Sequence, residues 1–326
     1  DETLNGTCDY WQMAPGSYPE LRFQDGTSPI MSEGLGTADK PYLIRDARDL
    51  GTVWFEPLAH YRLDTSVDLS GVVWSMAVVP WFGGVLDGDG HAISSLCIRG
   101  NGHLGLFGEL GSAAVISHLG LEAVDVDGTG DYVGGLAGYC RGPVAMCYSV
   151  GTIRGGRYVG GLAGLADYAS YYDDAIAASY SAGTISGDFS VGGLVGINRR
   201  TVTRCYSTCV VSGRDSVGGL VGQAGAAVSE SYSSGSVAGD MNVGGLVGQG
   251  PYSPQARKPQ GITSFWDTQT SGQSTSARGT GKTTSELQSA ATFLDAGWDF
   301  VDEAENGADD IWRIDDEWWR APVSRR

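Results

Sequence analysis

Polar and apolar positions alternate over short stretches that glycine interrupts, and the chain shows no sustained helical spacing of its apolar residues. Alternation with a period of two is the pattern of a β-strand with one buried face. Cys147, Ser149 and Ile153 share one parity, and Cys205 and Val211 take the matching places in a later stretch. All five are small or apolar. The pattern therefore predicts short strands whose small side chains fill a narrow interior.

These strands recur in a repeat headed by a glycine-leucine-x-glycine motif. The headings begin at Gly105, Gly135, Gly161, Gly193, Gly219 and Gly245, in steps of 30, 26, 32, 26 and 26 residues. A repeat of roughly 20 to 50 residues indicates a solenoid, because one unit cannot bury its apolar side alone. We therefore predict an all-β fold, a right-handed parallel β-helix of about seven coils with about three short strands per coil and a cap at each end.

The motifs also carry a family resemblance. Four headings are followed by the lines CYSVGTI, SYSAGTI, CYSTCVV and SYSSGSV, and the chain further contains GTADKPYLI, GVLDGDGHAI and SFWDTQTSGQS. Together these resemble the GLUG motif of secreted bacterial β-helix proteins. The resemblance covers most of the chain and implies a β-helix and secretion. It implies no single activity, since GLUG chains occur among adhesins and large modular exoproteins, some of which act on proteins or polysaccharides.

One domain with four segments is expected. Residues 37–100 form an N-terminal cap with the first coils and a short helix near RDARDLGTVWF, residues 101–264 form the repeating coils, and residues 265–326 form a C-terminal cap. In that cap Thr283 and Glu286 have capping-box spacing, and four tryptophans could pack over the last coil: Trp298, Trp312, Trp318 and Trp319. Residues 1–36 resemble the tail of a preceding copy, because NGTCDYWQM near the start echoes NGADDIWRI near the end. We expect a monomeric module within a longer, multi-module chain.

The net charge of the chain limits the classes of partner that it is expected to bind. The net charge is −17, whereas binding to nucleic acid requires a clustered basic face. The same charge disfavours acidic glycans such as pectin and favours a neutral polysaccharide. No apolar run approaches the roughly 18 residues of a membrane span, so no membrane insertion is expected. A secreted or cell-surface location follows from the resemblance and from the acidity.

One repeated feature of the coils could bind a ligand. Tyr148, Tyr180, Tyr206 and Tyr232 occupy one outward parity in successive coils and predict an aromatic ladder. A residue kept in every repeat is better explained by stacking between coils than by a ligand that touches only a few of them. The ladder is therefore interpreted as mainly structural.

A bulge departs from the repeat. Gly164 and Tyr180 are 16 residues apart, whereas the matching pairs in three other coils are 10 apart. Loops on a rigid scaffold often carry binding groups. The surplus of six residues lies in a stretch rich in ring and carboxylate side chains: Asp167, Tyr168, Tyr171, Tyr172, Asp173 and Asp174. We predict a glycan site there, with a tolerated surface insertion as the alternative.

Aromatic residues also precede three headings. Tyr132 and Tyr158 share a register in adjacent coils, and Phe189 lies one residue earlier in the next coil. Serine and asparagine replace them in the later coils, so these residues predict an aromatic patch that covers only the first coils. The sequence does not show whether the patch and the bulge share a face.

Catalysis is a weaker hypothesis. An inverting glycosidase needs two carboxylates roughly 6.5–9.5 Å apart, and Asp173, Asp174, Asp188 and Asp215 are the candidates. None stands in a distinctive motif. No metal site or cofactor is expected, except that the bulge carboxylates could hold Ca²⁺. The cysteines Cys147, Cys205 and Cys209 are predicted to be interior fillers.

Three functions therefore remain. The first is a non-catalytic module that binds a neutral plant-type polysaccharide, xylan or glucan, through exposed aromatic residues. The second is a cell-surface adhesin or structural repeat. The third is a glycoside hydrolase or polysaccharide lyase.

Overall fold

The computed structural model describes residues 33–167, 176–251, 263–300 and 312, together with the backbone of four two-residue strands. Parallel strands stack coil upon coil into four sheets, which we label A to D in the order in which the chain visits them within one coil. The all-β solenoid of about seven coils is thus confirmed. Each later coil contains four short strands rather than three, because the residues before the heading also pair between coils.

The strand bounds follow the repeat. Sheet A contains Arg157–Gly160, Phe189–Gly192, Asp215–Gly218 and Met241–Gly244. Sheet B contains Val79–Phe82, Phe107–Leu110, Ala137–Cys140, Ala163–Ala166, Val195–Asn198, Val221–Ala224 and Val247–Gln249. Sheet C contains Tyr42–Ile44, His60–Leu63, Val85–Asp87, Val115–Ser117, Val144–Ala145, Ile176–Ala177, Val202–Thr203 and Val228–Ser229.

Sheet D is the longest and closes each coil. It contains Val67–Asp68, Val73–Trp74, Ala92–Ser94, Cys97–Gly100, Gly120–Gly128, Tyr148–Arg154, Tyr180–Ser186, Tyr206–Ser207, Val210–Ser212, Tyr232–Ser233, Val237–Ala238, Phe265–Asp267 and Thr280–Lys282. Outside these sheets, Trp11–Gln12 pairs antiparallel with Glu20–Leu21, and Arg313–Ile314 pairs antiparallel with Trp319–Arg320.

The heading motif places its glycines where the chain has no room for a side chain. A Cβ at Gly161 would lie 2.2 Å from the carbonyl oxygen of Gly193 in the next coil and 2.6 Å from Cβ of Ser181. A Cβ at Gly164 would lie 2.6 Å from the carbonyl oxygen of Tyr158. The leucine between them is fully buried. The motif therefore folds sheet A tightly against sheet B, and the headings align in register through sheet B, as predicted.

The interior is a single column of apolar and small side chains that runs the length of the stack. Cys147, Ser149 and Ile153 are buried, as the alternation predicts, and so are their counterparts in later coils. Ser181 donates a hydrogen bond of 2.7 Å to the carbonyl of Gly193, which satisfies a hydroxyl inside the column. The interior cysteines are free thiols, in agreement with their predicted role as fillers.

Short helices cap the stack. At the N-terminal end, Asp46 caps the helix Ala47–Thr52, which a 3₁₀ turn continues through Val53–Phe55. Near the other end lie Thr268–Ser271, Thr284–Leu287 and Ala290–Leu294, and Thr283 and Glu286 form the predicted capping box. A second apolar cluster, which includes Trp298 and Trp312, packs outside the coils there. Trp298 and Trp312 thus pack beside the last coils, against the outward-facing rings of Phe265 and Tyr232. The side chains of Trp318 and Trp319 lie outside the described residues.

Candidate functional site

The tyrosine ladder on sheet D is continuous. Neighbouring rings of Tyr148, Tyr180, Tyr206 and Tyr232 stack with centroids 4.8–5.1 Å apart and planes within 12° of parallel. Each inner ring therefore has both faces covered. The apolar cluster that includes Trp298 and Trp312 also covers the C-terminal half of the ladder. Tyr206 and Tyr232 are therefore buried although they point away from the interior. The inner rings therefore offer no open face to a sugar, which supports a structural role for the ladder.

A different group of rings lies where sheets A and B meet. The ring centroids of Tyr132 and Tyr158 are 4.9 Å apart, and Tyr132 also packs edge-on against Tyr139 at 5.7 Å. The exposed imidazole of His103 stacks on Tyr139 at 5.9 Å and meets Tyr132 at 4.8 Å. Phe189 continues the group one coil further, in register with Arg157. We call these five residues, His103, Tyr132, Tyr139, Tyr158 and Phe189, the aromatic corner.

The backbone at this corner is unusual for tyrosine. Tyr132 and Tyr158 have φ of 63° and 58°, in the left-handed region, and the equivalent residues of the later coils are Ser190, Ser216 and Asn242. Asparagine tolerates this region well, whereas a bulky residue there is strained. Left-handed residues recur at a second corner of the coils as well, where Met146, Arg204 and Glu230 also have positive φ. The fold requires a left-handed residue at this position but does not require a tyrosine.

Two guanidinium groups flank Phe189. The Cζ atom of Arg157 lies 5.4 Å from the centroid of Phe189 and equally far from that of Tyr158, and Cζ of Arg214 lies 4.4 Å from Phe189. Cation–π contacts of this kind hold the long arginine side chains in place. Both arginines are exposed, so their N–H donors are presented to solvent beside the rings.

Asp167 joins the aromatic corner to the bulge. Its buried carboxylate accepts a hydrogen bond from the Tyr139 hydroxyl and lies 3.3 Å from Nη1 of Arg199. Burial, together with this bond, raises the pKa of Tyr139 to about 12, so the phenol stays protonated and keeps donating. The backbone N–H of Asp167 also pairs with Cys140 of the preceding coil. The first residue of the predicted site thus lies on the same face as Tyr132 and Tyr158.

The remaining predicted residues divide into two groups. Tyr168, Tyr171, Tyr172, Asp173 and Asp174 lie outside the described residues, so their roles stay predictions. Asp188 and Asp215 lie on consecutive coils beside Phe189. The carboxylate of Asp215 accepts hydrogen bonds from Asn242 at 2.7 Å and Ser216 at 3.1 Å, which ties it to its own corner.

Comparisons with known proteins place the fold but not the function. No family model matches the chain. It is 33% identical over 192 residues to Halomucin of Haloquadratum walsbyi, a match that covers 52% of this chain and 2% of that protein. Among solved structures it is similar to a Bacteroides ovatus protein provisionally named an immunoglobulin A1 protease, with a TM-score of 0.59 and 19% identity over 81% of this chain and 90% of the other. This likeness shows a shared β-helix fold.

The sequence alone missed several members of the site. Tyr139 directly follows a heading glycine, and its pairing with Asp167 depends on how two coils stack. His103 and Arg199 come from two further coils. Coil register could have found Arg199, which stands six residues after its heading glycine, as Asp167 does after its own.

The described part of the chain contains no cluster of three or more histidine, cysteine, aspartate or glutamate side chains suited to a metal ion. It also contains no helix long and apolar enough to cross a membrane.

Proposed function

We propose that this chain is a non-catalytic glycan-binding module of a secreted or cell-surface protein, and that the aromatic corner binds a neutral polysaccharide. Asp167, the last described residue before the bulge, forms one border of the site. The proposal extends to membership of the GLUG group, in which such β-helices form parts of larger proteins.

The observation that carries this proposal is the pair of left-handed tyrosines. Later coils fill the position of Tyr132 and Tyr158 with serine or asparagine, so the stack folds without rings there. Two adjacent coils nevertheless hold tyrosine in a backbone region that suits it poorly. Bulky residues also occupy the left-handed region at another corner of the coils, at Met146, Arg204 and Glu230. It is therefore the placement of two stacked rings where later coils have small polar side chains that supports a ligand.

The chemistry of the corner suits a sugar. Half-buried rings offer apolar surface with a polar edge. Exposed arginines supply hydrogen-bond donors, and nearby carboxylates supply acceptors for hydroxyl groups. Two of the nearby arginines are paired with carboxylates, in the Arg199–Asp167 and Arg141–Glu109 ion pairs. This balance favours a ligand without net charge.

The test replaces the rings by residues that the fold already uses. The double variant Tyr132→Ser, Tyr158→Ser copies the later coils, so the backbone should be retained. We expect affinity gel electrophoresis on xylan and mixed-linkage β-glucan to show binding by the wild type and at least tenfold weaker binding by the variant. That loss corresponds to about 1.4 kcal/mol.

The control is Val210→Thr, which removes an exposed apolar side chain from sheet D and copies Thr184 of the preceding coil. It should bind like the wild type. If the wild type binds no member of a broad glycan panel, or if the double variant binds as well as the wild type, the proposal fails.

A second candidate function is a structural or adhesive repeat in a long surface protein. Its support is that the matched region makes up only 2% of Halomucin. The echo between NGTCDYWQM and NGADDIWRI points the same way, since each segment leads into a two-stranded antiparallel pair, at Trp11–Gln12 and at Arg313–Ile314. Many copies of the module in the parent gene would favour this role over a single binding module.

A further inference from the structure

An exposed tryptophan lies in line with the aromatic corner. Trp81 pairs in register with Glu109, and Glu109 pairs in register with Tyr139, so the three occupy one column on sheet B in successive coils. With strands stacked at ~4.8 Å, Trp81 lies about 9.6 Å from Tyr139 along the solenoid axis. Trp81 is 42% exposed.

The backbone beneath Trp81 accommodates the indole ring. A Cβ at Gly83 would lie 2.5 Å from Cη2 of Trp81, and a Cβ at Gly111 in the next coil would lie 2.9 Å from Cζ2. In the following coils the position equivalent to Gly83 and Gly111 is occupied by Arg141 and then by Asp167. Glycine thus occurs in the two coils where the indole ring of Trp81 lies against the backbone. These contacts fix the position of the ring although much of it is exposed.

Polar groups lie between the two ring sites. Glu109 forms an ion pair with Arg141, whose Cζ atom lies 5.2 Å from the centroid of Tyr139. Along the axis the surface therefore runs from an indole, through a carboxylate and a guanidinium, to a phenol. Alternating rings and hydrogen-bonding groups match a ligand whose apolar ring faces alternate with hydroxyl-rich edges.

We propose that Trp81 is a second stacking subsite, so that the ligand is a polysaccharide chain that runs along the solenoid axis rather than a single sugar or a chain end. From the coil of Trp81 to the coil of Phe189 the track covers four coil steps, or about 19 Å. This proposal rests on the glycan-binding function of the aromatic corner and specifies the length and direction of its ligand.

The experiment compares ligands of different length on the full chain. Isothermal titration with xylan and with its short oligosaccharides is measured for the wild type, Trp81→Ala, Trp81→Phe and the Tyr132→Ser, Tyr158→Ser variant. Trp81→Ala should weaken polymer binding about tenfold and leave disaccharide binding within a factor of two. Trp81→Phe should restore most of the polymer affinity, and the double tyrosine variant should weaken binding to both ligands.

Several results would overturn the extended track. One is polymer binding by Trp81→Ala that equals the wild type while the double tyrosine variant is impaired, which would leave the glycan function standing. Another is an equal loss for polymer and disaccharide. Trp81 would instead be a docking contact, together with its exposed neighbour Leu58, if Trp81→Ala changed only concentration-dependent self-association in analytical ultracentrifugation. Absence of any glycan binding by the wild type would refute both proposals.

Discussion

The hydroxyl of Tyr139 donates a hydrogen bond to the carboxylate of Asp167, which lies 28 residues later and one coil further along the stack. Tyr139 packs against Tyr132 of the aromatic corner, and Asp167 is the last described residue before the bulge. The bond therefore connects the two features that the sequence marks separately as candidate binding elements.

Removal of the hydrogen bond between Tyr139 and Asp167 should lower the stability of the fold by a measurable amount. Tyr139→Phe keeps the ring but leaves the buried carboxylate of Asp167 with one fewer donor. We expect the free energy of unfolding in urea to fall by about 1–2 kcal/mol, with the Arg199 contact limiting the loss. Tyr158→Phe is the control, because the described structure shows no hydrogen bond from that hydroxyl; it should change stability by less than about 0.5 kcal/mol. Equal effects of the two substitutions would contradict this account of Tyr139.

The ladder should affect stability and not binding. Tyr206 is 6% exposed and stacks on rings in both neighbouring coils. Tyr206→Ala should lower the free energy of unfolding by about 3 kcal/mol, while Tyr148→Ala, at the less covered end, should cost about 1 kcal/mol. Binding to xylan, measured on folded protein, should change by less than twofold in both. A large loss of binding in Tyr148→Ala would restore the ladder as a ligand site.

The sequence predicted those features that depend on coil spacing. Parity placed Cys147 and Ile153 inside, and the equal offsets of Tyr206 and Tyr232 from their headings placed their rings in one stack. A solenoid makes such inferences reliable, because equal offset means direct contact between coils. The heading glycines could be read in the same way.

Other features depend on the path of the chain between strands. The angle between sheets A and B decides that Tyr139 meets Tyr132, and alternation alone carries no information on that angle. The burial of Tyr232 depends on a cap residue as distant as Trp312, which lies outside the repeat. Trp81 precedes the first heading, so the repeat gave no register from which to place it beside Glu109.

The interior cysteines should resist modification. Burial raises the pKa of Cys140 and of Cys147 to about 12, and it also raises the pKa of Cys209, so the reactive thiolate is scarce at neutral pH. Native protein treated with iodoacetamide at pH 7.5 should be labelled at half-buried Cys97 but not at these three, nor at buried Cys205. Peptide mass spectrometry before and after addition of urea checks this. Rapid native labelling of Cys147 would show that the coils open.

Stability should fall in acid below about pH 4. A hydrogen bond from Arg45 lowers the pKa of Asp64, and bonds from Ser70 lower that of Asp68. A carboxylate whose folded pKa is depressed stabilises the fold above its unfolded pKa of about 3.9, and this contribution is lost as the pH falls through the folded value. The Tm should therefore be nearly constant from pH 7 to 5 and drop below pH 4. Arg45→Gln should make that drop shallower; an unchanged slope would mean that Asp64 contributes nothing to it.

The last prediction concerns the bulge. Its two flanks are held by the stack, since Asp167 bonds to Cys140 and Ile176 pairs with Val144 on one side and Val202 on the other. Deletion of six residues from 168–175 should therefore leave the coils intact and change Tm by only a few degrees. If Tyr171 and Tyr172 contact the glycan, binding to xylan should weaken at least tenfold, as it should in Tyr171→Ala, Tyr172→Ala.

The same two bulge variants separate a binding element from a tolerated insertion. Chelator added to the wild type tests for Ca²⁺ held by Asp173 and Asp174, and it should reproduce the loss only if the ion orders the site. If both variants bind xylan and β-glucan like the wild type, the bulge is a tolerated insertion. The aromatic corner would then bind the ligand without it, through the rings of Tyr132, Tyr139 and Tyr158, which contact one another.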